Sequence, residues 1–382
     1  MLLKKSLIIK VVALISILVS NLAFAFLTDE DKEKKKAKAE LLETVTDGPY
    51  VFAQGKQLSS YWLCQGKVIE ENVNADVFPL SISRCNLAAK IHGLSSVEDK
   101  VLTFQGDFDV AALSDFHGQY DLMMKLLMNN HIIDENKQWA FSNGHFVITG
   151  DIFDRGDKVT EILWFLYDLE KQAKKAGGKV HLTLGNHEVM VLNGDLRYLH
   201  PKYLVAADKL AKPFEQLFSK ESILGNWLRS KPVLVKVNNM LFAHGGFHPS
   251  LAEEDRTIHD INRVFKNSLV KAELDEPRTG WAEYLHKSNG PIWYRGYFKD
   301  DGASSDEIDL LLRHFDVDHL IVGHTSQKQI ETRYQGRVIA IDSSIKKGKY
   351  GEILFVSGSK ATKQPVKMWR GSLSGKVLPL YK

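Results

Sequence analysis

Cysteine and proline are both scarce in this sequence, which contains two cysteines and 10 prolines among 382 residues. Two cysteines are too few for a small domain held together by disulfides, so a chain of this length must be stabilised by a hydrophobic core. Cysteine-dependent tyrosine phosphatase chemistry is also excluded, because it needs an arginine six residues beyond the cysteine. Glu70 and Ile91 occupy those positions after Cys64 and Cys85.

A marked net charge is missing as well. The formal charge is +3, and the whole excess comes from Lys4, Lys5 and Lys10, so the remaining residues comprise 47 basic and 47 acidic side chains. This balance provides no general attraction for nucleic acids or anionic lipids, and we expect no nucleic-acid partner. Hydrophobic residues make up 44% of the chain, which is typical of a globular protein and excludes a disordered one.

Residues 1–25 predict a secretory signal peptide. Two lysines precede an apolar stretch, mainly Val11 to Phe24, that ends in the small-x-small pattern Ala23-Phe24-Ala25. An uncleaved membrane anchor is the alternative, but the stretch is short for a span of about 20 residues and includes polar side chains. We therefore predict cleavage after Ala25, a periplasmic or secreted protein, and no stable membrane insertion after cleavage.

Beyond the signal, the sequence predicts an N-terminal extension at residues 26–100 and a main domain at residues 101–382. The extension starts with a charged segment, either an exposed helix or a frayed arm, and continues with short β-like runs. Cys64 and Cys85 can form a disulfide in an oxidising compartment, and two separate buried thiols are the alternative. In the main domain strands alternate with helices before a strand-rich tail. This order predicts an α/β fold of two mixed β-sheets packed as a sandwich flanked by helices.

Five polar clusters stand directly after apolar strand-like runs, where ligand sites of open α/β sheets form. They are Asp115-Phe116-His117, Gly150–Gly156 (GDIFDRG), Gly185–Glu188 (GNHE), His244-Gly245-Gly246 and Gly323-His324-Thr325. Each alone is a weak signal, since an Asp-x-His pair is usually a turn and an asparagine is a favoured helix cap. Five clusters in order, each after a strand, predict one shared site.

The residue types in these clusters suit divalent metal ions. Asp115 and His117 are two residues apart, so they face the same side if the segment is extended. Gly150 allows a close approach, and the two oxygens of Asp151 can bridge two cations. The predicted ligands are Asp115, His117, Asp151, Asn186, His244 and His324. This mixed set suits Mn, Fe, Zn or Co, and two such ions suit in-line displacement at phosphorus by a metal-activated water.

Three other residues suit the remaining chemistry. His187 can protonate a leaving alkoxide or phenoxide, and Asp154 can orient its imidazole and raise the imidazole pKa. Arg155 offers a planar fork to phosphate oxygens. The predicted catalytic pair is therefore His187 with Asp154.

The order of these motifs resembles that of the calcineurin-like metallophosphoesterases, and within them the phosphoprotein phosphatase branch. Two further stretches, 193–198 (NGDLRY) and 291–297 (PIWYRGY), are similar to the Shewanella-like protein phosphatases, including their cold-active tyrosine-phosphatase members. Wider relatives end in Gly-His-x-His, but Ser326 replaces the second histidine here. That departure is typical of the phosphoprotein phosphatases and argues against the phosphodiesterase-like relatives.

The resemblance implies a division of roles. Asp115, His117 and Asp151 would hold one metal ion, and Asp151, Asn186, His244 and His324 the other. Arg155, Asn186 and Arg295 would contact the phosphate.

We therefore expect a dinuclear-metal phosphomonoesterase that acts on phosphorylated proteins or peptides. The resemblance implies a preference for phosphotyrosine. Trp293, Tyr294, Tyr297 and Phe298 around Arg295 either line a cleft that accepts an aromatic ring or form a core strand. Two alternatives stand beside this expectation: a hydrolase of nucleotides or dinucleoside polyphosphates on the same scaffold, and a phosphoprotein-binding module without turnover. The full ligand set and His187 disfavour the second alternative.

Overall fold

A computed structural model describes residues 29–96, 101–358 and 365–380 of the chain. The predicted signal peptide at residues 1–25 lies outside the described residues. Within the described ranges, no helix has the length and apolar character needed to cross a lipid bilayer.

Strands and helices are numbered in chain order. The strands are β1 (Asp47–Gln54), β2 (Gln57–Cys64), β3 (Lys67–Asn74), β4 (Leu80–Arg84), β5 (Leu87–Ile91), β6 (Thr103–Phe104), β7 (Val110–Leu113), β8 (His145–Ile148), β9 (Lys179–Leu182), β10 (Leu234–Val237), β11 (Met240–Ala243), β12 (His319–Val322), β13 (Glu331–Arg333), β14 (Val338–Ala340), β15 (Glu352–Ser357), β16 (Lys367–Ser372) and β17 (Val377–Pro379). The helices are α1 (Asp29–Thr44), α2 (Tyr120–Asn129), α3 (Val159–Lys175), α4 (Asn186–Leu192), α5 (Pro201–Lys209), α6 (Ile223–Arg229), α7 (Ser250–Glu253), α8 (Ile258–Asn267), α9 (Gly280–Tyr284) and α10 (Ser305–Phe315). Short 3-10 turns lie at Phe214–Phe218, Lys271–Glu273, Gly296–Phe298, Tyr334–Gly336 and Ile345–Lys347.

Two six-stranded mixed sheets form the main domain. Their strand orders are β13-β14-β12-β11-β10-β6 and β17-β16-β15-β7-β8-β9. Strands β7, β8 and β9 run parallel to one another, and so do β11, β12 and β14. The carboxyl ends of each parallel set therefore open on a single edge of their sheet.

An apolar layer separates the two sheets. Val110, Ala112 and Val147 of one sheet belong to the same buried cluster as Val235 and Phe242 of the other. The residues between them along each strand point the opposite way, into the cluster beneath the helices, as the two-residue period of a strand requires. This arrangement confirms the predicted sandwich.

Helix α3 shows how the flanking layer is encoded. Its buried residues include Ile162, Leu166, Leu169 and Ala173, which recur every three or four positions and so form one apolar face. Two lysines in its last turn complement the helix dipole. The helix packs against the outer side of its sheet and leaves the carboxyl ends of the strands uncovered.

The N-terminal extension packs onto the main domain. Its antiparallel sheet is β1-β2-β3, and β4 and β5 form a separate hairpin. The predicted disulfide is present: it joins Cys64 at the end of β2 to Cys85 in the turn of the hairpin, with 5.8 Å between the two Cα atoms. The buried ammonium of Lys202 pairs with Asp47 at 3.0 Å and so ties the extension to α5.

Two strands are shorter than the apolar runs of the sequence suggest. Residues 108–113 form such a run, but the strand begins only at Val110, and in the run at residues 180–184 the strand ends at Leu182. Leu184 N bonds the carbonyl of Pro232 instead of continuing the pairing with β8, because the chain is already turning into a loop.

Candidate active site

All five polar clusters lie at one end of the sandwich. The Asp115, Asp151 and Asn186 loops follow β7, β8 and β9, while His244 and His324 follow β11 and β12 of the other sheet. Contacts join the loops across the two sheets: His324 N donates to Asp115 Oδ2 at 2.9 Å, and Asn186 Oδ1 lies 2.9 Å from His244 Nε2. The six predicted ligands are thereby brought together.

Asp115 and His117 converge by a route that differs from the prediction. They do not lie on an extended segment, because their φ angles are +59° and +45°. Asp151 and His324 also have positive φ values, +58° and +63°. Left-handed backbone at a residue other than glycine costs roughly 1–3 kcal/mol and clusters at functional sites. The expected extended geometry was therefore wrong, since the chain turns sharply as it leaves each strand.

Gly150 and Gly185 allow the loops after β8 and β9 to touch. A Cβ on Gly150 would collide with the backbone nitrogen of Gly185, and a Cβ on Gly185 would collide with Asp151 Oδ1. The close approach predicted at Gly150 is therefore present. It lets His187 N donate to Asp151 Oδ1 at 3.0 Å.

Glu188 fixes the same two loops, a role that was not expected from the sequence. Its fully buried carboxylate accepts hydrogen bonds from the backbone nitrogens of Gly185 at 2.8 Å, Asp151 at 2.8 Å and Ile152 at 2.6 Å. Burial raises the pKa of Glu188, and these N–H groups oppose that rise. An acid three residues after a capping glycine, at the start of a helix, is the sequence signal for such a role.

One group of donor atoms surrounds His117. Its Nε2 lies 3.7 Å from Asp115 Oδ1 and 3.5 Å from Asp151 Oδ2. The other ring nitrogen, Nδ1, is 2.7 Å from the carbonyl oxygen of Phe153, and this contact aims Nε2 at the carboxylates. A contact between the second ring nitrogen and a backbone carbonyl is typical of histidines that bind metals.

A second group surrounds His244. Its Nε2 lies 3.2 Å from Asp151 Oδ2, 2.9 Å from Asn186 Oδ1 and 3.1 Å from His324 Nδ1. Its Nδ1 is 2.7 Å from the carbonyl oxygen of Thr149. Asp151 Oδ2 belongs to both groups, which is the position of a carboxylate that bridges two ions.

Unpartnered polar atoms in this cluster support a metal site. Asp115 Oδ1, His117 Nε2 and His324 Nε2 are buried and have no hydrogen-bond partner. A buried polar atom without a partner costs about 1–3 kcal/mol, so several in one place require an explanation such as a bound ion. Imidazole, carboxylate and amide donors are ligands of divalent metals, and the residues present therefore fit metal ions.

The charges of the cluster lead to the same conclusion. Burial would raise the pKa of Asp151, but His244 and His187 beside it hold that pKa well below its usual value. Burial would lower the pKa of His244, yet Asp151 and Asp115 raise it to about 9. The carboxylates thus attract positive charge strongly enough to hold a proton on a buried histidine, and divalent cations satisfy the same attraction.

His187 lies at the border of this cluster. Its Nδ1 contacts Asp154 Oδ2, and its Nε2 lies 3.8 Å from Asp151 Oδ2. Burial lowers the pKa of His187, but Asp151 and Asp154 outweigh burial and raise the pKa above its ordinary value. The arrangement lets the imidazole hold a proton at Nε2, next to the predicted metal ligands.

The two predicted phosphate arginines come from different loops. Arg155 follows Asp154 and is exposed, and its guanidinium carbon lies 5.2 Å from the ring centroid of Tyr198. Arg295 Nη1 donates to the His324 carbonyl at 3.2 Å and to Thr325 Oγ1 at 3.0 Å. Arg295 is therefore held beside a predicted ligand, and Arg155 is held beside Tyr198.

The aromatic residues around Arg295 divide between the core and the cleft. Tyr297 is buried, and its hydroxyl donates to the Phe247 carbonyl at 2.8 Å, so it does not line the cleft. Trp293 is half-buried, lies edge-on to His324 at 5.6 Å and lines the cleft with Tyr294. Neither alternative describes the whole run: Trp293 and Tyr294 line the cleft, whereas Tyr297 and Phe298 pack on the core as part of a turn and not of a strand.

Tyr198 was missed as a site residue. It is 45% exposed, and its ring centroid lies 5.4 Å from that of His187. The sequence placed it only within the NGDLRY stretch, whose sole signal was the resemblance to a family.

A sandwich of mixed sheets with carboxylate, imidazole and amide groups gathered at one edge defines a metal-dependent phosphoesterase. Residues 108–328, more than half of the chain, match the model of the calcineurin-like phosphoesterases. The chain belongs to the calcineurin-like phosphoesterase family.

Similar proteins place the chain among the phosphatases of that family. It aligns with the crystal structure of the cold-active protein-tyrosine phosphatase of a psychrophilic Shewanella species at a TM-score of 0.80 and 39% identity, covering 88% of this chain and 99% of that one. Shewanella-like protein phosphatase 2 of Arabidopsis thaliana is 36% identical over 287 residues, which are 63% of this chain and 72% of that protein. Shewanella-like protein phosphatase 1 of Plasmodium berghei is 28% identical over 248 residues, 61% of this chain and 65% of that protein. The predicted family is confirmed, and the protein is a phosphatase of the metallophosphoesterase class.

Proposed function

We propose that this phosphatase removes phosphate from proteins or peptides and prefers phosphotyrosine. The observation that carries the proposal is the His187–Asp154 pair, because His187 Nε2 faces the shared Asp151 carboxylate at 3.8 Å. A group that gives up a proton beside a metal cluster suits phosphomonoester hydrolysis. The likeness to a protein-tyrosine phosphatase over 88% of this chain supports the substrate class.

Bound divalent ions supply Lewis acidity and a water of lowered pKa for in-line displacement at phosphorus. Asp115, His117 and Asp151 would hold one ion, and Asp151, Asn186, His244 and His324 the other. Mn, Fe, Zn and Co all suit this mixture of nitrogen and oxygen ligands.

The remaining side chains bind the substrate and move the proton. Arg155 and Arg295 offer charged N–H groups to the phosphate oxygens, with the Asn186 amide beside them. As the bond between phosphorus and the leaving oxygen breaks, His187 gives that oxygen its Nε2 proton. Asp154 accepts from Nδ1 and so keeps the imidazole in the required orientation.

A substrate panel tests this function. We expect purified protein to hydrolyse a phosphotyrosine peptide faster than a phosphoserine peptide of the same sequence, and both faster than a dinucleoside tetraphosphate. Activity is expected to disappear with a chelator and to return with metal. Faster cleavage of the dinucleoside tetraphosphate would establish the nucleotide alternative instead. Binding of the phosphopeptides without turnover would establish a binding module.

We also propose that the protein works in the periplasm or outside the cell, after cleavage behind Ala25. The apolar N-terminal pattern supports this location, as does the Cys64–Cys85 disulfide, since such bonds persist in oxidising compartments. Fractionation followed by N-terminal sequencing is expected to find mature protein that begins at Phe26. Full-length protein in the cytosolic fraction would contradict the location without affecting the proposed chemistry.

A further inference from the structure

We infer that Tyr198 sets the preference for aryl phosphates, because its exposed ring offers the surface against which the leaving aromatic ring packs. The inference rests on the proposed function and names the residue that selects the substrate. Nothing in the metal cluster distinguishes an aryl phosphate from an alkyl phosphate, so the selection must come from groups around the leaving oxygen.

Tyr198 contacts both groups that the proposed reaction uses on the substrate. Its ring centroid is 5.4 Å from the imidazole of His187 and 5.2 Å from the guanidinium carbon of Arg155. Arg155 N also donates to the Tyr198 carbonyl at 3.0 Å. The ring therefore lies beside both the proton donor and a phosphate contact.

The position of His187 fixes where the leaving group must be. His187 Nε2 has to approach the leaving oxygen, and in phosphotyrosine that oxygen is bonded directly to the aromatic ring. The aromatic ring of the substrate must then lie next to His187. His187 is 4% exposed and Tyr198 is 45% exposed, so Tyr198 provides aromatic surface on the solvent side of the proton donor.

Neighbouring side chains hold the ring of Tyr198 in place. A fixed ring favours selective packing of an aromatic substrate over non-specific hydrophobic contact. Arg197 forms two hydrogen bonds of 2.8 Å with Asp195, and its guanidinium carbon lies 5.7 Å from the Tyr198 ring centroid. Arg155 packs on the same ring. Aromatic pairs in offset or edge-to-face geometry gain free energy beyond the area they bury, and a phosphoserine methylene gains none of it.

A cavity large enough for a peptide segment opens next to the segment that carries Tyr198. This cavity of about 930 Å³ is lined by Asp195 and Arg197 on the Tyr198 segment and by Trp293 and Arg295 on the other segment. Trp293 also lines this cavity, but it packs on His324, a proposed metal ligand. Tyr198 contacts the proton donor instead, so its replacement tests substrate selection without removing a ligand's neighbour.

The experiment compares Tyr198→Leu with Tyr198→Phe and with Tyr61→Leu. Tyr61 lies on β2 of the N-terminal extension, where its hydroxyl donates to Glu70 at 3.3 Å, and it serves as the remote control. For each protein, kcat/KM is measured on a phosphotyrosine peptide and on a phosphoserine peptide of the same sequence. The Kd of a non-hydrolysable phosphonate analogue of the phosphotyrosine peptide is measured by calorimetry.

We expect Tyr198→Leu to lower the phosphotyrosine-to-phosphoserine ratio of kcat/KM by about three- to tenfold and to weaken analogue binding by a similar factor. Tyr198→Phe and Tyr61→Leu should keep the wild-type ratio. Lost packing on Arg155 affects both substrates and cancels in the ratio. An unchanged ratio, or equal losses on both peptides, would overturn this inference alone. Failure of the wild type to hydrolyse either peptide would overturn the proposed function, and this inference with it.

Discussion

Two groups of buried histidines in the main domain have opposite surroundings. At the carboxyl end, His187 after β9 faces the carboxylate of Asp151, as does His244, which follows β11 of the other sheet. His145 begins β8, and its Nδ1 lies 3.0 Å from Nε2 of His181, the third residue of β9. The His145 ring also stacks on Phe108, with 3.7 Å between the ring centroids. His145 and His181 contact each other, whereas His117 and His324 keep buried nitrogens without hydrogen-bond partners.

The two groups of histidines also differ in their pKa values. Burial, assisted by Lys179, lowers the pKa of His145 to about 4, so this histidine is neutral. Burial also acts on His244, but the carboxylates raise its pKa to about 9. A buried histidine therefore indicates a site for cations when buried acids accompany it, and indicates packing when aromatic rings do. Four experiments test this comparison.

Asp151→Asn removes the carboxylate shared by both donor groups and should have the largest effect. The amide keeps the shape but loses the charge that holds the cations, so we expect metal content to fall and kcat/KM to drop by at least about 10³-fold. The control is Asp76→Asn, in which an exposed acid paired with Lys56 in the extension is changed in the same way. Near-normal activity of Asp151→Asn would show that the Asp151 carboxylate is not needed to hold the cations.

His187→Asn is expected to lower kcat by about 10²–10⁴-fold while the metal content stays at the wild-type level. The proton for the leaving oxygen is lost, but the predicted ligands remain. Elemental analysis alongside kinetics decides the role, because His117, Asp151 and His187 place donor atoms within 4.8 Å of one another. Loss of an ion from this variant would make His187 a ligand and contradict its role as a proton donor.

Arg295→Ala should cost about 2–4 kcal/mol of transition-state stabilisation, because a charged contact to the phosphate is removed. The measurement is kcat/KM on the phosphotyrosine peptide. Lys287→Ala changes another cation that lines the same cavity and provides the control. If the Arg295 variant keeps the wild-type efficiency, Arg295 does not contact the phosphate.

Replacing His145 and His181 should change the free energy of unfolding and leave activity at neutral pH unchanged. The folded state lowers the pKa of His145 from 6.5 to about 4, so it binds fewer protons than the unfolded state. Its contribution to stability is present above about pH 6.5 and is lost as the pH falls toward 4. Urea midpoints at pH 7 and pH 5 should therefore differ less for the double variant His145→Phe/His181→Leu than for the wild type. If the urea midpoint changes equally with pH in both proteins, the conclusion that His145 is neutral in the folded protein is contradicted.

The sequence sufficed to predict the sandwich and the convergence of the predicted ligands, because each motif stands at the end of a strand and parallel strands end at one edge. It could not predict how Asp115 and His117 converge, since their left-handed backbone is imposed by neighbouring loops. Tyr297 and Tyr198 show the same limit. An aromatic residue next to an arginine suits a core or a cleft equally well, and only the packing of the whole chain decides between them.

We propose that Asp151 would help to hold two divalent ions at the carboxyl ends of the strands. Elemental analysis of purified, active protein, before and after chelation, tests it most directly. We expect about two divalent ions per chain, loss of activity in step with their removal, and recovery when metal is restored. Full activity in protein that contains no metal would contradict the account.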